Sequence, residues 1–338
     1  MFLDVSRSIG DLLHAECFRY LEDAAEQPGL WRAAASALAA LCGSSSAADL
    51  LPSSRKRAVV ARFGLPSFRR ACALLLERRL SALPDVWSNL GAVMLSTAWH
   101  VDSDGLTDAD AVAVSRLVQS SNALCAAYGC AICWLLARSS RIRTVFERLG
   151  FVGTLLRTLR VWSARGGAGD SVVEFGIAAL WAMLASDTLM TASIAANGPA
   201  VLVDIASRGL ASGRDPSTRR LALAVLRAHT RVAAGARAVV ESGAVPTLVL
   251  VATNALLAPD TRIHCVAAME NIARLSLDDV GVTAAQRRTI VSRMVSLVVS
   301  TLQRATSALQ LCALRTLVRL ASTEDRKVRH GAAGAGLD

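Results

Sequence analysis

Aromatic residues are scarce in this chain of 338 residues: they make up 4% of it, whereas hydrophobic residues make up 53%. A core of that size has to be built from Ala, Leu and Val, which favour the close packing of helices. Short strand-like runs, such as residues 247–251, lie inside longer apolar segments with helical periodicity. The composition therefore predicts an all-α protein with little or no β-sheet.

Cysteines are few and dispersed, and they lack the dense spacing of a small secreted disulfide scaffold. The N-terminal segment carries acids at Asp4 and Asp11 and has no basic flank ahead of an apolar core, so it lacks the form of a signal peptide. We therefore expect an intracellular protein in a reducing compartment, in the cytoplasm, the nucleus or both.

Motifs of catalytic and cofactor sites are missing from the sequence. The five histidines are isolated, and no two stand at the i, i+4 spacing that lets two rings bind one metal on a helix. No glycine-rich loop closes with a lysine and a hydroxyl residue, and no serine stands in a Gly-x-Ser-x-Gly turn. We expect no enzymatic activity, no cofactor and no metal.

One segment, residues 117–137, is uncharged and long enough to cross a bilayer. The polar cluster at residues 119–122 indicates a turn near its start, and the apolar remainder has the length of a buried helix. We predict that the segment is not a membrane span.

Internal self-similarity is the strongest signal in the chain. Residues 128–136 match residues 175–183 position by position, and Trp134 and Trp181 coincide at an offset of 47. The same offset decides how a closely spaced cysteine pair should be interpreted.

Cys130 and Cys133 have the spacing of a zinc-binding or thiol-exchange pair. Their counterparts 47 residues later are Ile177 and Leu180, and the chain has no second pair to complete a four-ligand site. We therefore predict that both cysteines are apolar core residues.

A glycine that follows a polar segment and opens an apolar helix recurs every 41 to 48 residues. These glycines are Gly64, Gly105, Gly150, Gly198 and Gly243. Prolines mark the same repeat at predicted helix starts, where the missing amide hydrogen has no cost. They are Pro66, Pro84, Pro199, Pro216, Pro246 and Pro259. Each unit is predicted to contain a short helix, a glycine turn, a second helix, a polar loop and a third helix.

Residues 239–249, with Gly243 before an apolar helix, resemble the glycine turn and second helix of armadillo repeats, and residues 146–156 repeat that pattern. Residues 266–273 are similar to the family's third helix. The resemblance implies a right-handed α-solenoid, or superhelix, of about six three-helix repeats over residues 55–322. A helical cap at residues 1–54 and a disordered tail at residues 323–338 complete this assignment. In such an array the third helices line a concave binding surface.

In the importin-alpha branch of the family, each third helix tends to carry a Trp followed four residues later by an Asn, which together hold a basic peptide. Here Arg138 follows Trp134 at that distance, an alanine follows Trp181, and Asn271 has no Trp at Ala267. The resemblance therefore does not extend to the binding of basic peptides.

Arginines take the place of that ladder in the later third helices, and residues four apart lie on one helix face. The arginines are Arg227, Arg231, Arg274, Arg315 and Arg319. Guanidinium forks bind carboxylates and phosphates, and a groove of this sign resembles the beta-catenin type of array, which receives extended acidic segments. We predict a non-enzymatic scaffold or adaptor that binds an acidic protein segment through these arginines. The alternative is that they lie on the convex side or pair with nearby acids.

Trp134, Trp181 and Arg138 complete the set of candidate contact residues. A tryptophan that recurs at the structural period is typical of packing. We therefore favour a core role for both tryptophans, with contact to the bound segment as the alternative.

The formal net charge of +10 leaves two further functions open. The basic stretch between Arg55 and Arg79, opposed only by Glu77, suits a nucleic-acid-binding solenoid, or is a solvated face. A structural subunit of a larger assembly is the other alternative.

Overall fold

The structure is a computed structural model. It describes residues 15–22, 28–41, 53–77, 80, 83–98, 106–212, 216–254 and 256–274, and the single positions 292, 295, 314 and 318. Throughout these residues the regular elements are helices, and none is a strand, as the composition predicted. The helices are α1 (residues 15–22), α2 (Pro28–Leu41), α3 (Ser53–Leu76), α4 (Pro84–Ala98), α5 (Asp108–Val118), α6 (Ala123–Leu136), α7 (Ser140–Arg148), α8 (Phe151–Arg165), α9 (Asp170–Met183), α10 (Asp187–Ala195), α11 (Gly198–Ser212), α12 (Pro216–His229), α13 (Ala233–Glu241), α14 (Ala244–Thr253) and α15 (Pro259–Arg274).

From α7 onward the described helices repeat one pattern three times. A first helix of nine residues, in α7, α10 and α13, precedes a second helix of 10 to 15 residues and a third helix of 14 to 16 residues. This is the order of short, second and third helices that the sequence predicted. We refer to α4, α6, α9, α12 and α15 as the third helices, because α4 and α6 pack in the same way as the later ones.

The turn between first and second helix requires a residue with positive φ. Gly150 (φ 60°) and Gly243 (φ 73°) occupy this position, as predicted. In the repeat between them the residue is Asn197 (φ 60°), because asparagine also tolerates this conformation. Gly198 is instead the first residue of α11, where an added Cβ would lie 2.8 Å from the Ser193 carbonyl oxygen. The predicted turn glycine was therefore one residue late.

Five of the six prolines lie in the first three residues of a helix, as predicted; they are Pro84, Pro199, Pro216, Pro246 and Pro259. Pro66 is the exception, since α3 runs through both Gly64 and Pro66, and the turn predicted there is wrong. Pro66 is exposed, whereas the following Ser67 and Phe68 are buried. Burial of that helix face outweighs the local cost of a proline.

The chain divides into two compact units, a first unit (Met1–Leu189) and a second unit (Met190–Asp338). In the first unit α4, α6 and α9 pack side by side, and in the second α12 packs against α15. Such stacking between neighbouring repeats is the main source of stability in repeat proteins. The assigned cap and array boundaries stay predictions, and the assigned tail at 323–338 lies outside the described residues.

Glycines let the third helices α6 and α9 approach the second helices α5 and α8. A Cβ added to Gly129 of α6 would lie 2.5 Å from the Val118 amide nitrogen and 2.9 Å from the Leu117 carbonyl carbon. A Cβ added to Gly176 of α9 would lie 2.7 Å from Cδ2 of Leu159. Both contacts require a residue without a side chain.

The uncharged segment at residues 117–137 is divided between two helices. Asn122 caps α6 by accepting hydrogen bonds from the amides of Leu124 (2.9 Å) and Cys125 (3.1 Å). Among the described residues, no single helix is both long and apolar enough to cross a bilayer. Two pairs of consecutive helices reach the required length together, and they are bent by 73° and 87°.

Cys130 and Cys133 are fully buried, which confirms that they belong to the core. Burial raises the pKa of the Cys130 thiol to about 12, and it raises the pKa of Cys133 well above its ordinary value. Both therefore stay protonated at neutral pH. Six of the eight cysteines are described, and all six are buried and unbridged.

Candidate functional site

Each third helix buries most of its surface and leaves one stripe open to solvent. In α9, the exposed or half-buried positions between residues 171 and 182 are 171, 174, 175, 178, 181 and 182. Steps of three and four residues place these positions on one helix face. A similar sequence of exposed and buried positions recurs in α4, α6, α12 and α15, although the counterpart of residue 178 is buried in each of them. We call this face of each third helix its outer stripe.

Aligning the five helices by burial divides the outer stripe into three rows: an upper row, an alanine row three residues earlier, and a lower row six residues earlier. In the first unit the upper row is Leu95, Trp134 and Trp181, the alanine row is Ala92, Ala131 and Ala178, and the lower row is Asn89, Tyr128 and Phe175. In the second unit the corresponding rows are Arg227 and Glu270, Ala224 and Ala267, and Leu221 and His264.

The middle position of the outer stripe is alanine in all five third helices. Four of these alanines, Ala92, Ala131, Ala224 and Ala267, are 3–8% exposed. A side chain of one carbon leaves the backbone close to the surface, whereas the rows on either side carry larger groups. We call the line of alanines between the larger rows the channel, one across α4, α6 and α9 in the first unit and another across α12 and α15 in the second.

The channel in the first unit is lined by aromatic residues. Trp181 is 45% exposed, and Trp134 is half-buried, with the Arg138 guanidinium 5.1 Å from its ring centroid. Tyr128 packs against the neighbouring helix at Gly91, where an added Cβ would lie 3.2 Å from Cδ2 of the ring. The core role that the sequence favoured is therefore wrong for Trp181, and both tryptophans lie on the outer stripe.

The channel in the second unit is basic on its α12 side. Arg227 occupies the upper row, Arg231 lies one turn beyond it, and Arg220 lies two turns before it; all three are exposed. Among the described residues, neither Arg227 nor Arg231 forms an ion pair with an acid. On α15, Glu270 occupies the upper row and Asp260 the N-terminal end. The guanidinium groups of Arg227 and Arg231 are therefore available to a partner.

Of the remaining predicted arginines, Arg274 is described in part and the other two are not described. Arg274 is the last residue of α15, four residues after Glu270, and its side chain is outside the described part of the structure. Arg315 and Arg319 also lie outside the described residues.

His264 lies in the lower row of α15, half-buried, and its Nδ1 is buried without a hydrogen-bond partner in the described structure. Burial lowers the pKa of this imidazole, and the nearby charges of Arg227 and Arg220 lower it further, against the opposing effect of Asp260. The ring is therefore neutral at pH 7. No sequence pattern indicated that His264 or Arg220 belongs to the site, because their proximity depends on the packing of α12 against α15.

Asn271 lies one residue after the upper row, in register with Leu135 and Ala182. Its Nδ2 donates a hydrogen bond to Oγ1 of Thr230 at 3.1 Å. Ala267 belongs to the alanine row, three residues before the row that contains Trp134 and Trp181. The sequence comparison with the importin-alpha pattern, which expects a Trp at position 267, was therefore out of register. The recurring alanine was the available signal for the correct register.

Two arginines of the basic stretch between Arg55 and Arg79 are engaged by acids within the first unit. Arg70 donates two hydrogen bonds to Glu22, at 2.7 and 2.8 Å, and Arg69 lies 4.0 Å from Asp110. The other basic side chains of the stretch are outside the described part of the structure.

Comparison with known proteins finds relatives in structure alone. No known protein family and no curated protein matches this sequence. The chain is similar to a computationally designed armadillo repeat protein for modular peptide recognition, with 16% identity and a TM-score of 0.58 over 75% of this chain and 99% of the designed one. It is also similar to an engineered protein, with 17% identity and a TM-score of 0.62 over 93% of this chain and 81% of that one.

A third similar structure is Uso1-2, with 11% identity and a TM-score of 0.61 over 93% of this chain. The chain spans 52% of the length of Uso1-2, about half of it. At these identities a structural likeness establishes the fold. Together with the repeated helix pattern, it shows that the chain has the all-α solenoid fold of armadillo repeat proteins.

Proposed function

We propose that the chain is a non-catalytic scaffold that binds an extended protein segment along the outer stripes of its third helices. The observation that carries the proposal is the alanine row, which in five helices lets a bound backbone approach while larger side chains flank it. The designed armadillo protein to which the chain is similar serves modular peptide recognition. An extended segment suits such a channel because its side chains alternate between two sides.

We propose further that the bound segment is acidic where it meets α12. Arg227 near the end of α12 and Arg231 in the turn that follows are both exposed, and each guanidinium can hold a carboxylate through paired hydrogen bonds. Arg274, Arg315 and Arg319 extend the basic set along the sequence. The six buried, unbridged cysteines support a reducing compartment, the cytoplasm or the nucleus, as the place of binding.

Fluorescence anisotropy with a labelled peptide tests both the binding of an extended segment and the preference for an acidic one. The peptide should be about twelve residues long, which gives about 40 Å of extended chain. One version carries Asp and Glu at alternate positions, and a neutral version carries Asn and Gln there. We expect saturable binding of the acidic peptide by the full chain, and weaker binding of the neutral one.

The variant Arg227→Gln/Arg231→Gln should weaken binding of the acidic peptide by at least about tenfold, because each charge-assisted hydrogen bond contributes about 1.5–3 kcal/mol. Arg237→Gln is a matched control, since Arg237 is also exposed but pairs with Glu241 on α13, away from the third helices. Equal affinity in the double variant and the control would refute the acidic segment.

The proposal that the chain binds an extended segment, whatever its charge, is tested by Trp134→Ala/Trp181→Ala. This variant removes the two large aromatic side chains beside the channel of the first unit. Binding of both peptides should weaken, whereas Val161→Ala, at an exposed position of the second helix α8, should have no effect. If the unmodified chain binds neither peptide, the scaffold proposal itself fails.

A further inference from the structure

A pocket of about 340 Å³ lies in the first unit, at the N-terminal ends of α4 and α6. It is lined by Trp87, Arg116, Gln119, Ser120, Asn122 and Cys125, among others. None of these residues belongs to the three rows of the outer stripe. Its volume falls in the range of small-ligand sites, so we consider which ligand its chemistry would accept.

Three side chains that line the pocket, Arg116, Asn122 and Trp87, offer hydrogen-bond donors. One terminal nitrogen of the Arg116 guanidinium donates to the backbone carbonyls of Leu76 (3.0 Å) and Leu75 (3.4 Å) at the end of α3. This fixes the guanidinium at the pocket wall, and its other N–H groups have no protein acceptor in the described structure. Arg116 is exposed and lines the pocket, so a ligand can reach it.

Asn122 and Trp87 add two further donors. The side-chain oxygen of Asn122 is committed to capping α6, through the amides of Leu124 and Cys125, which leaves its NH₂ group unused. The indole Nε1–H of Trp87 is buried and has no hydrogen-bond partner within the described residues. A buried donor without an acceptor is costly. The indole N–H is shielded from water, so a ligand that accepts from it must move an adjacent lining side chain.

The local charges also favour an anion. Residues at the N-termini of α4 and α6 line the pocket, together with Gln119 at the C-terminus of α5. Helix N-termini carry partial positive charge and helix C-termini partial negative charge, so two positive ends oppose one negative end. The one acidic side chain at the start of α4, Asp85, lies 3.8 Å from Arg32, which offsets its charge. Arg116 therefore contributes the unbalanced charge at the wall.

Covalent chemistry at the pocket is not favoured by its cysteine. Burial raises the pKa of Cys125 to about 11, and its thiol contacts the Pro84 carbonyl oxygen at 3.9 Å. A protonated thiol is a poor nucleophile. The pocket is therefore suited to reversible binding.

We propose that this pocket binds a carboxylate group, held by the Arg116 guanidinium with the Asn122 amide and the Trp87 indole as further donors. A carboxylate accepts several hydrogen bonds and pairs with a guanidinium through two of them. It comes either from an Asp or Glu side chain of a bound protein or from a small free carboxylic acid.

The test is an NMR titration of the full chain labelled with ¹⁵N at its tryptophan indoles, with the Trp87 signal assigned by its loss in Trp87→Phe. The probes are N-acetylglutamate α-amide, which mimics a side chain, its neutral isostere N-acetylglutamine amide, and glutarate as a free acid. We expect a saturable shift of the Trp87 signal with a carboxylate probe and none with the glutamine probe. Preference for the capped glutamate indicates a protein ligand, and preference for glutarate indicates a free acid.

Arg116→Gln should weaken carboxylate binding by about ten- to hundredfold, and Arg116→Lys should retain part of it. Arg143→Gln is the matched control, because Arg143 bonds the carbonyls of Ala137 (2.9 Å) and Arg138 (3.0 Å) in the same way but outside the pocket. The Arg227→Gln/Arg231→Gln variant should bind the probes normally, which separates this site from the peptide channel. Absence of a saturable shift with either carboxylate, or an equal shift with the glutamine probe, would overturn the proposal.

Discussion

Replacing Gly129 by alanine is expected to destabilise the first unit, although alanine is ordinarily the better helix residue. In a helix interior, Ala is favoured over Gly by about 1 kcal/mol. At this site, however, the new Cβ would lie 2.5 Å from the Val118 amide nitrogen and 2.9 Å from the Leu117 carbonyl carbon. Both atoms belong to the backbone of α5, which cannot move aside as a flexible side chain would.

Overpacking of this kind costs about 1–3 kcal/mol, and contact with backbone places Gly129 at the upper end of that range. After the gain in helix propensity is subtracted, we expect a net loss of about 2 kcal/mol. For a unit of this size the loss corresponds to a decrease in Tm of about 4–8 °C. Urea and thermal unfolding of the full chain, followed by far-UV circular dichroism and tryptophan fluorescence, measure both quantities.

Gly153 provides the control for this experiment, because it lies in α8 of the same unit and an added Cβ would meet only Nη1 of Arg157, at 3.6 Å. Gly153→Ala should therefore leave stability unchanged or raise it by up to about 1 kcal/mol. If Gly129→Ala is as stable as Gly153→Ala, α6 does not approach α5 closely enough to require glycine, and the packing argument fails.

Three further predictions concern a turn, a buried histidine and the core cysteines. Asn197→Gly should preserve stability, whereas Asn197→Ala should lower the free energy of unfolding by about 1 kcal/mol because of its positive φ; equal stability of the two would contradict that role. Burial lowers the pKa of His229, whose ring contacts Ser193 Oγ (3.0 Å) and the Val225 carbonyl (2.9 Å), below its ordinary value of 6.5. As the pH falls, the unfolded chain therefore takes up the proton before the folded chain does. The contribution of His229 to stability is complete above about pH 6.5 and is lost as the pH falls below that value. His229→Gln should reduce the pH dependence of the urea midpoint, and an unaltered dependence would count against this assignment. Cys130 and Cys133 should resist alkylation in the folded chain at about pH 8 and react after unfolding, as read by peptide mass spectrometry; rapid modification of the folded chain would show that they are accessible.

Much of the fold could be predicted from the sequence because the armadillo turn has a strict backbone requirement. Gly150 and Gly243 are needed for positive φ, and they recur at the length of the repeat. The sequence prediction placed this turn at Gly198 instead of Asn197, because asparagine meets the same requirement and a glycine follows it. The predicted turn at Gly64 failed for a different reason, since burial of one face of α3 keeps the helix intact through Pro66.

The candidate site was less predictable, because a periodic tryptophan fits both a core and a surface position. Trp134 and Trp181 recur at the right interval, but only the register of the helix decides which way they face. That register depends on the largely buried run of five residues that precedes each upper-row position, in which only Ala178 is half-buried. The proximity of Arg220 and Arg227 to His264, likewise, results from contact between two helices about 40 residues apart in sequence, which no local pattern encodes.

The outer stripe also bears on how such a protein evolves. Along the upper row the residue changes from Leu95 to Trp134 and Trp181, then to Arg227 and Glu270, while the five positions before each of them are buried, apart from the half-buried Ala178. The residues that hold neighbouring helices together and the residues that face solvent are thus different sets, interleaved on the same helix. Mutation can alter the second set one helix at a time without disturbing the first, so partner choice can diverge while the scaffold and its stability are retained.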